Sequence, residues 1–91
     1  MTPFEYGKTL GVRFKAGASD VDIAKELAEV TVDGKHPTPK QFGEILSGMH
    51  NGVFGSRLVE AENIRFNTFM VSVRQKDAER RQEREDNSEK A

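Results

Sequence analysis

Few side chains in this 91-residue sequence can do general acid–base chemistry: two histidines, His36 and His50, and one close pair of carboxylates, Asp20 and Asp22. His36 stands in a Gly-Lys-His-Pro turn with no carboxylate or nucleophile beside it, and His50 sits next to a helix stop, where the helix dipole favours a basic ring. Asp20 and Asp22 lie two residues apart at the start of a helix, so they point apart and complement the positive end of the dipole. The absence of cysteine excludes thiolate chemistry and disulfides, and two histidines leave little material for an imidazole metal cage. Gly11 to Gly17 lacks the Gly-Lys-Ser/Thr ending of a phosphate loop, and Gly34-Lys35 lacks the upstream glycine and the following hydroxyl. Asp20-Val21-Asp22 is not followed by the glycine and glutamate of a calcium loop. The sequence therefore predicts a non-enzymatic chain with no cofactor and no metal.

The elements that position these residues read as helices. Thr2-Pro3-Phe4-Glu5 combines a cap, a proline at the first turn and an acid that can reach back to the cap amide, which predicts a helix from Pro3 to Lys15. Phe4, Gly7, Gly11 and Phe14 share one face of it. Each helical glycine costs about 1 kcal/mol against alanine, so the pair predicts close approach of another helix or backbone; a loosely wound first helix is the other reading. Ser19-Asp20-Val21-Asp22 starts a second helix, to Glu29, with Ile23, Leu27 and Val30 as its apolar stripe. Thr31 to Lys35 reads as a turn around Asp33-Gly34 with room for a two-residue strand. Thr38-Pro39-Lys40-Gln41 repeats the opening grammar, and Phe42, Ile45, Leu46 and Met49 follow before an expected stop at Asn51-Gly52. Tyr6-Gly7-Lys8-Thr9-Leu10 resembles Phe42-Gly43-Glu44-Ile45-Leu46, but five positions do not make a repeat.

The last element is a long helix from Arg57 to at least Glu85, with Val59, Phe66, Phe69, Met70 and Val73 on one side. The competing reading is a strand within 64–73, whose residues have good β propensity. Composition changes after Val73: residues 74–91 hold six basic and six acidic side chains, and their hydrophobic residues are Ala78 and Ala91 alone. Two regions follow, a small helical domain over 1–73 and a charged extension over 74–91, helical or partly disordered. Asp77-Arg81 and Arg81-Glu85 would support a helix at i, i+4, while Lys76-Arg80, Arg80-Arg84 and Glu79-Glu83 oppose it. With no apolar heptad beyond Val73, the extension is no zipper seam. The chain has no apolar run of the roughly 20 residues that cross a bilayer and no secretory signal pattern, so it is expected to be soluble and cytoplasmic, without a membrane partner.

The fold class expected is mostly α, about four helices with the last running into the charged tail, and α+β with a short strand around 64–73 as runner-up. A domain of this size leaves much apolar surface uncovered. The function expected is a protein–protein interaction or assembly module, self-association being its simplest form. Its partner-binding residues are Gly7 and Gly11 for close helix packing, Val59, Phe66, Phe69, Met70 and Val73 for antiparallel pairing, and Arg80, Arg81 and Arg84 for charged contacts. A phage or other mobile-element protein, in virion assembly or as a host-factor inhibitor, is one compatible setting, which would place it in the virion. The alternative is a nucleic-acid-associated regulator: Asp22-Ile23-Ala24-Lys25-Glu26-Leu27-Ala28 resembles the first helix of many helix-turn-helix repressors, with Lys25, Lys35, Lys40 and the tail arginines on phosphates. Against it, about eight residues with Asp-Gly and two prolines replace the short turn, and the following helix carries only Lys40 and His50 as basic groups.

Overall fold

The first three helices each begin where a short oxygen-bearing side chain meets free backbone amides. Thr2 accepts from the Glu5 amide, Ser19 from Val21, and Thr38 from Gln41, and only Thr38 forms a capping box closed on both sides, Gln41 Oε1 accepting from the Thr38 amide at 2.9 Å. A computed structural model describes residues 1–55 and 60–90, with the side chains of all these except 60–63 and 85–90. Its elements are α1 (Pro3–Lys15), α2 (Asp20–Glu29), α3 (Pro39–Phe54) and α4 (Glu60–Lys90). The described residues contain no strand; Asp33 (φ 53°) and Gly34 (φ 78°) form the tight reversal, closed by a single bridge between Val32 and Lys35.

One expectation is met over its runner-up and one changes. Segment 64–73 is helical, because Phe66, Phe69, Met70 and Val73 are buried at helical spacing while Ile64 and Val71 face out. Asn51-Gly52 does not stop α3, which continues to Phe54 and ends at Gly55 (φ 56°). The extra turn buries Val53 and Phe54, and Gly52 is needed inside the helix for a close contact with α1.

That contact is reciprocal. A β-carbon on Gly7 would overlap the Ile45 carbonyl oxygen, and one on Gly11 that of Met49. From the other side, β-carbons on Gly48 and Gly52 would overlap the carbonyl oxygens of Phe4 and Lys8. Residue numbers rise together along both helices, so α1 and α3 run parallel, interlocked in steps of four residues. Leu10, Ile45 and Met49 are fully buried around this contact, with Ile23 and Leu27 of α2 joining the same core.

The parallel arrangement brings the C-terminal aromatics of α1 and α3 to one end, and there they receive α4. Phe66 meets Phe14 edge-on at 5.7 Å and Phe54 edge-on at 5.3 Å, while Phe69 lies 5.1 Å from Phe14. The Arg65 guanidinium covers Phe14 at 4.2 Å and pairs with Asp20 of α2. From that end α4 runs back along α3 until Arg81 donates to the carbonyl of buried Pro37 at 3.0 Å. Residues 74–81 are thus not a free extension: Arg81, itself held by Asp77, docks on the segment before α3, and the helix then continues past the body, consistent with a long axis of 47 Å.

The glycine contact generates a paired test. Gly7→Ala and Gly48→Ala should each destabilise the protein by about 3 kcal/mol in urea unfolding, since the obstacle is backbone. Gly43→Ala, whose β-carbon meets nothing within 4 Å, should stabilise it by up to about 1 kcal/mol. Equal effects at the three positions would mean that α1 and α3 do not touch through glycine.

Candidate functional site

The acid–base candidates do not converge. His36 is exposed ahead of α3, and His50 is exposed near its C-terminal part, with about 16 Å of helix between Pro39 and His50. His50 lies tilted against Phe54 and edge-on to Phe66, at 4.9 and 5.8 Å. Asp20 is engaged by Arg65 at 2.6 Å. Among the described residues no group of three or more histidines and carboxylates is placed to hold a metal ion, and no buried side-chain nitrogen or oxygen lacks a partner.

One polar cluster was not anticipated. The Tyr6 hydroxyl donates to Glu26 Oε1 at 3.1 Å, and Arg13 pairs with Glu26 Oε2 at 2.7 Å, tying α1 to α2. Burial, then the charge and hydrogen bond of Glu26, push the Tyr6 hydroxyl from 10.0 up to about 12, with Arg13 pulling the other way. A cleft of about 400 Å³ between Tyr6, Val30, Val32 and Ile45 lies beside it, but the hydroxyl is committed to Glu26. The cluster is a strut between helices.

A further concave surface lies between α3 and α4, as two adjoining hollows. One, of about 340 Å³, has Leu46, Phe66 and Met70 as its floor and Ser47, His50, Asn67 and Val71 at its edges. The other, of about 250 Å³, runs over Phe42 and Gly43 toward Asp77, Ala78 and Arg81. Leu46 and Arg74 line both, so the hollows form one groove with Arg74 at its waist. Beside it, Ile64 and Val71 are 68% and 65% exposed, seven residues apart on the same side of α4 as Ala78.

The residues expected to bind a partner are distributed differently. Gly7 and Gly11 make the close helix contact that their spacing predicts, but its other half is α3 of the same chain, so no second molecule can enter the notch. Phe66, Phe69, Met70 and Val73 are core, between 1% and 6% exposed, because the ends of α1 and α3 cover them. Val59 lies outside the described residues. Arg80 and Arg81 both face Asp77, at 3.9 and 2.7 Å, and Arg84 is half-buried. Arg74, Ile64 and Val71 were not among the candidates, although the seven-residue step from Ile64 through Val71 to Ala78 was visible in the sequence. For groove reading of nucleic acid, α3 shows solvent Lys40, Gly43, Ser47 and His50, a single fixed positive charge.

No helix of the described residues is long and apolar enough to cross a membrane. No protein-family model, curated protein or solved structure matches the chain.

Tyr6 is the only tyrosine and there is no tryptophan, so its ionisation can be followed directly by absorbance. A hydroxyl whose folded value is raised contributes stability that is present below about pH 10 and is lost as pH climbs through 12. The native protein should titrate near 12, its melting temperature should fall between pH 10 and 12, and Tyr6→Phe should remove that fall. A native midpoint at 10 would show that Tyr6 does not bridge to Glu26.

Proposed function

We propose that this chain is a non-catalytic protein-interaction module that associates through the outward side of α4 and the groove beside it. The observation that carries this reading is that α4 has two apolar sides and the domain uses one. Phe66, Phe69, Met70 and Val73 fill the core, while Ile64 and Val71 stand in solvent at a seven-residue step. A single exposed apolar residue is ordinary on a protein surface. Two in line on a helix, bordering a groove with an apolar floor, match the anatomy of a surface that another helix covers.

Absence of a converging acid, base and nucleophile among the described residues gives an enzymatic reading nothing to build on. Nucleic-acid binding receives less support than protein binding, since two of the tail arginines are occupied by Asp77 and the exposed side of α3 is nearly uncharged.

The test separates the two sides of α4. Val71→Asp should leave the far-UV helical signal and melting temperature nearly unchanged, yet abolish any concentration-dependent rise of mass in sedimentation and any protein retained from extract by the wild-type chain. Phe69→Asp, which places a charge among the rings of Phe14 and Phe66, should collapse the helical signal itself. A monomer at every concentration, retaining the same proteins with and without Val71, would overturn the proposal.

A further inference from the structure

We infer that the groove between α3 and α4 docks an amphipathic helix of a protein partner, and that this helix carries a carboxylate that pairs with Arg74. The inference rests on the interaction-module reading and names the chemistry of the occupant.

Length comes first. The groove follows α3 from Pro39 to His50, about 16 Å of helix, and α4 from Phe66 to Arg81, about 22 Å. An occupant of three to four helical turns matches that span. Its floor is apolar throughout, from Phe42 and Leu46 to Met70, so the occupant must present an apolar stripe. At Gly43 the wall is open, with nothing within 4 Å of where a β-carbon would stand, and there a second helix can approach the α3 backbone closely.

Charge then selects among amphipathic helices. Arg13, Arg65, Arg80 and Arg81 each face a carboxylate of this chain, at 2.7, 2.6, 3.9 and 2.7 Å. Arg74 makes no ion pair with any described residue, and the nearest acid along α4, Asp77, is already held by Arg80 and Arg81. Arg74 stands at the waist common to both hollows, over the apolar floor, and the one carboxylate of the lining, Asp77, is the one that Arg80 and Arg81 hold. A carboxylate brought there would find a guanidinium with its donors free, whereas a lysine would meet a like charge. The shallow apolar patch on the outer side of α1, around Met1 and Val12, offers no such selection, since Glu5 and Lys8 place one acid and one base there, neither in an ion pair among the described residues.

Residues 79–91 do not fit. Their hydrophobic complement is Ala91 alone, which cannot cover an apolar floor. An antiparallel second copy centred on Val71 would set Ile64 against Ala78 but Thr68 against Arg74, leaving the guanidinium without an acid.

The test uses the full chain as bait for a displayed library of helical peptides of about 15 residues, apolar at i, i+4, i+7 and i+11 and randomised at the flanking positions. The expected winners carry aspartate or glutamate at one flanking position. Their affinity, read by fluorescence anisotropy, should fall about tenfold for Arg74→Glu and recover when the peptide acid is changed to lysine. Gly43→Gln, which fills the groove at an exposed helix position without touching a neighbouring backbone, should weaken every winner. Winners without an acid preference, or winners indifferent to both substitutions, overturn the inference. An empty selection together with a Val71-dependent rise in mass also overturns it, assigning the surface to a second copy and leaving the module reading intact. An empty selection with no Val71-dependent association of any kind removes both.

Discussion

Four carbonyl oxygens occupy the places where four β-carbons would be, and the rest of the molecule is arranged around that contact. Gly7 and Gly11 of α1 face the carbonyls of Ile45 and Met49, while Gly48 and Gly52 of α3 face those of Phe4 and Lys8. Each helical glycine costs about 1 kcal/mol of propensity, and a Cα–H···O contact returns roughly 0.5–1 kcal/mol, so the glycines by themselves are near neutral. What the close approach gains is burial around it, where Leu10, Ile45 and Met49 lose all contact with water. Two helices that pack in parallel cannot be joined by a short turn. The chain must travel back the length of α1, and α2 with the connection over 30–38 makes that return, anchored by Glu26 to Tyr6 and Arg13.

Parallel packing also decides where α4 attaches. Because α1 and α3 end at the same pole, Phe14 and Phe54 stand together, and Phe66 inserts between them with both rings edge-on. From that pole α4 must run antiparallel to α3, and Arg81 reaches the carbonyl of Pro37 at the other pole. Since α1 has taken one flank of α3 at backbone distance, α4 rests against α3 through large side chains instead. The difference in standoff is the origin of the groove: glycines close the α1–α3 seam, whereas Phe42, Leu46, Phe66 and Met70 hold the α3–α4 seam apart.

Local features of this fold were legible in the sequence because short-range chemistry writes them. The Thr2-Pro3 and Thr38-Pro39 starts, the Asp33-Gly34 reversal and the Gly7/Gly11 notch depend on residues within one or two turns of each other. The i, i+3, i+4, i+7 stripe of Phe66, Phe69, Met70 and Val73 was equally plain, but the same pattern serves a core and an interface, and periodicity does not say whose atoms cover it. Gly52 was misread because Asn-Gly has the chemistry of a stop, and its partner Lys8 lies 44 residues earlier. Arg74 was invisible for a similar reason: its lack of an ion pair among the described residues follows from Asp77 being taken by Arg80 and Arg81 and from α3 lining the groove with Pro39, Phe42, Gly43, Leu46, Ser47 and His50, a fact of tertiary arrangement.

The arrangement also changes what the balanced charge of residues 74–91 means. Six basic and six acidic side chains cancel in the sum, but not along the helix. Arg74, Lys76, Arg80, Arg81 and Arg84 against Asp77, Glu79 and Glu83 make 74–84 positive by two, and Glu85, Asp86 and Glu89 against Lys90 make 85–91 negative by two. Arg81 on Pro37 places the positive part alongside α3, and the groove there is lined by Arg74 and Arg81 against Asp77, an excess of one positive charge although the tail as a whole is neutral. At physiological ionic strength charges separated by more than about 8 Å are largely screened, and the acids beyond Glu85 are some 16 Å of helix from Arg74. A molecule in the groove therefore responds to Arg74 and its neighbours rather than to the net charge, and near-neutral composition is compatible with a surface selective for acidic side chains.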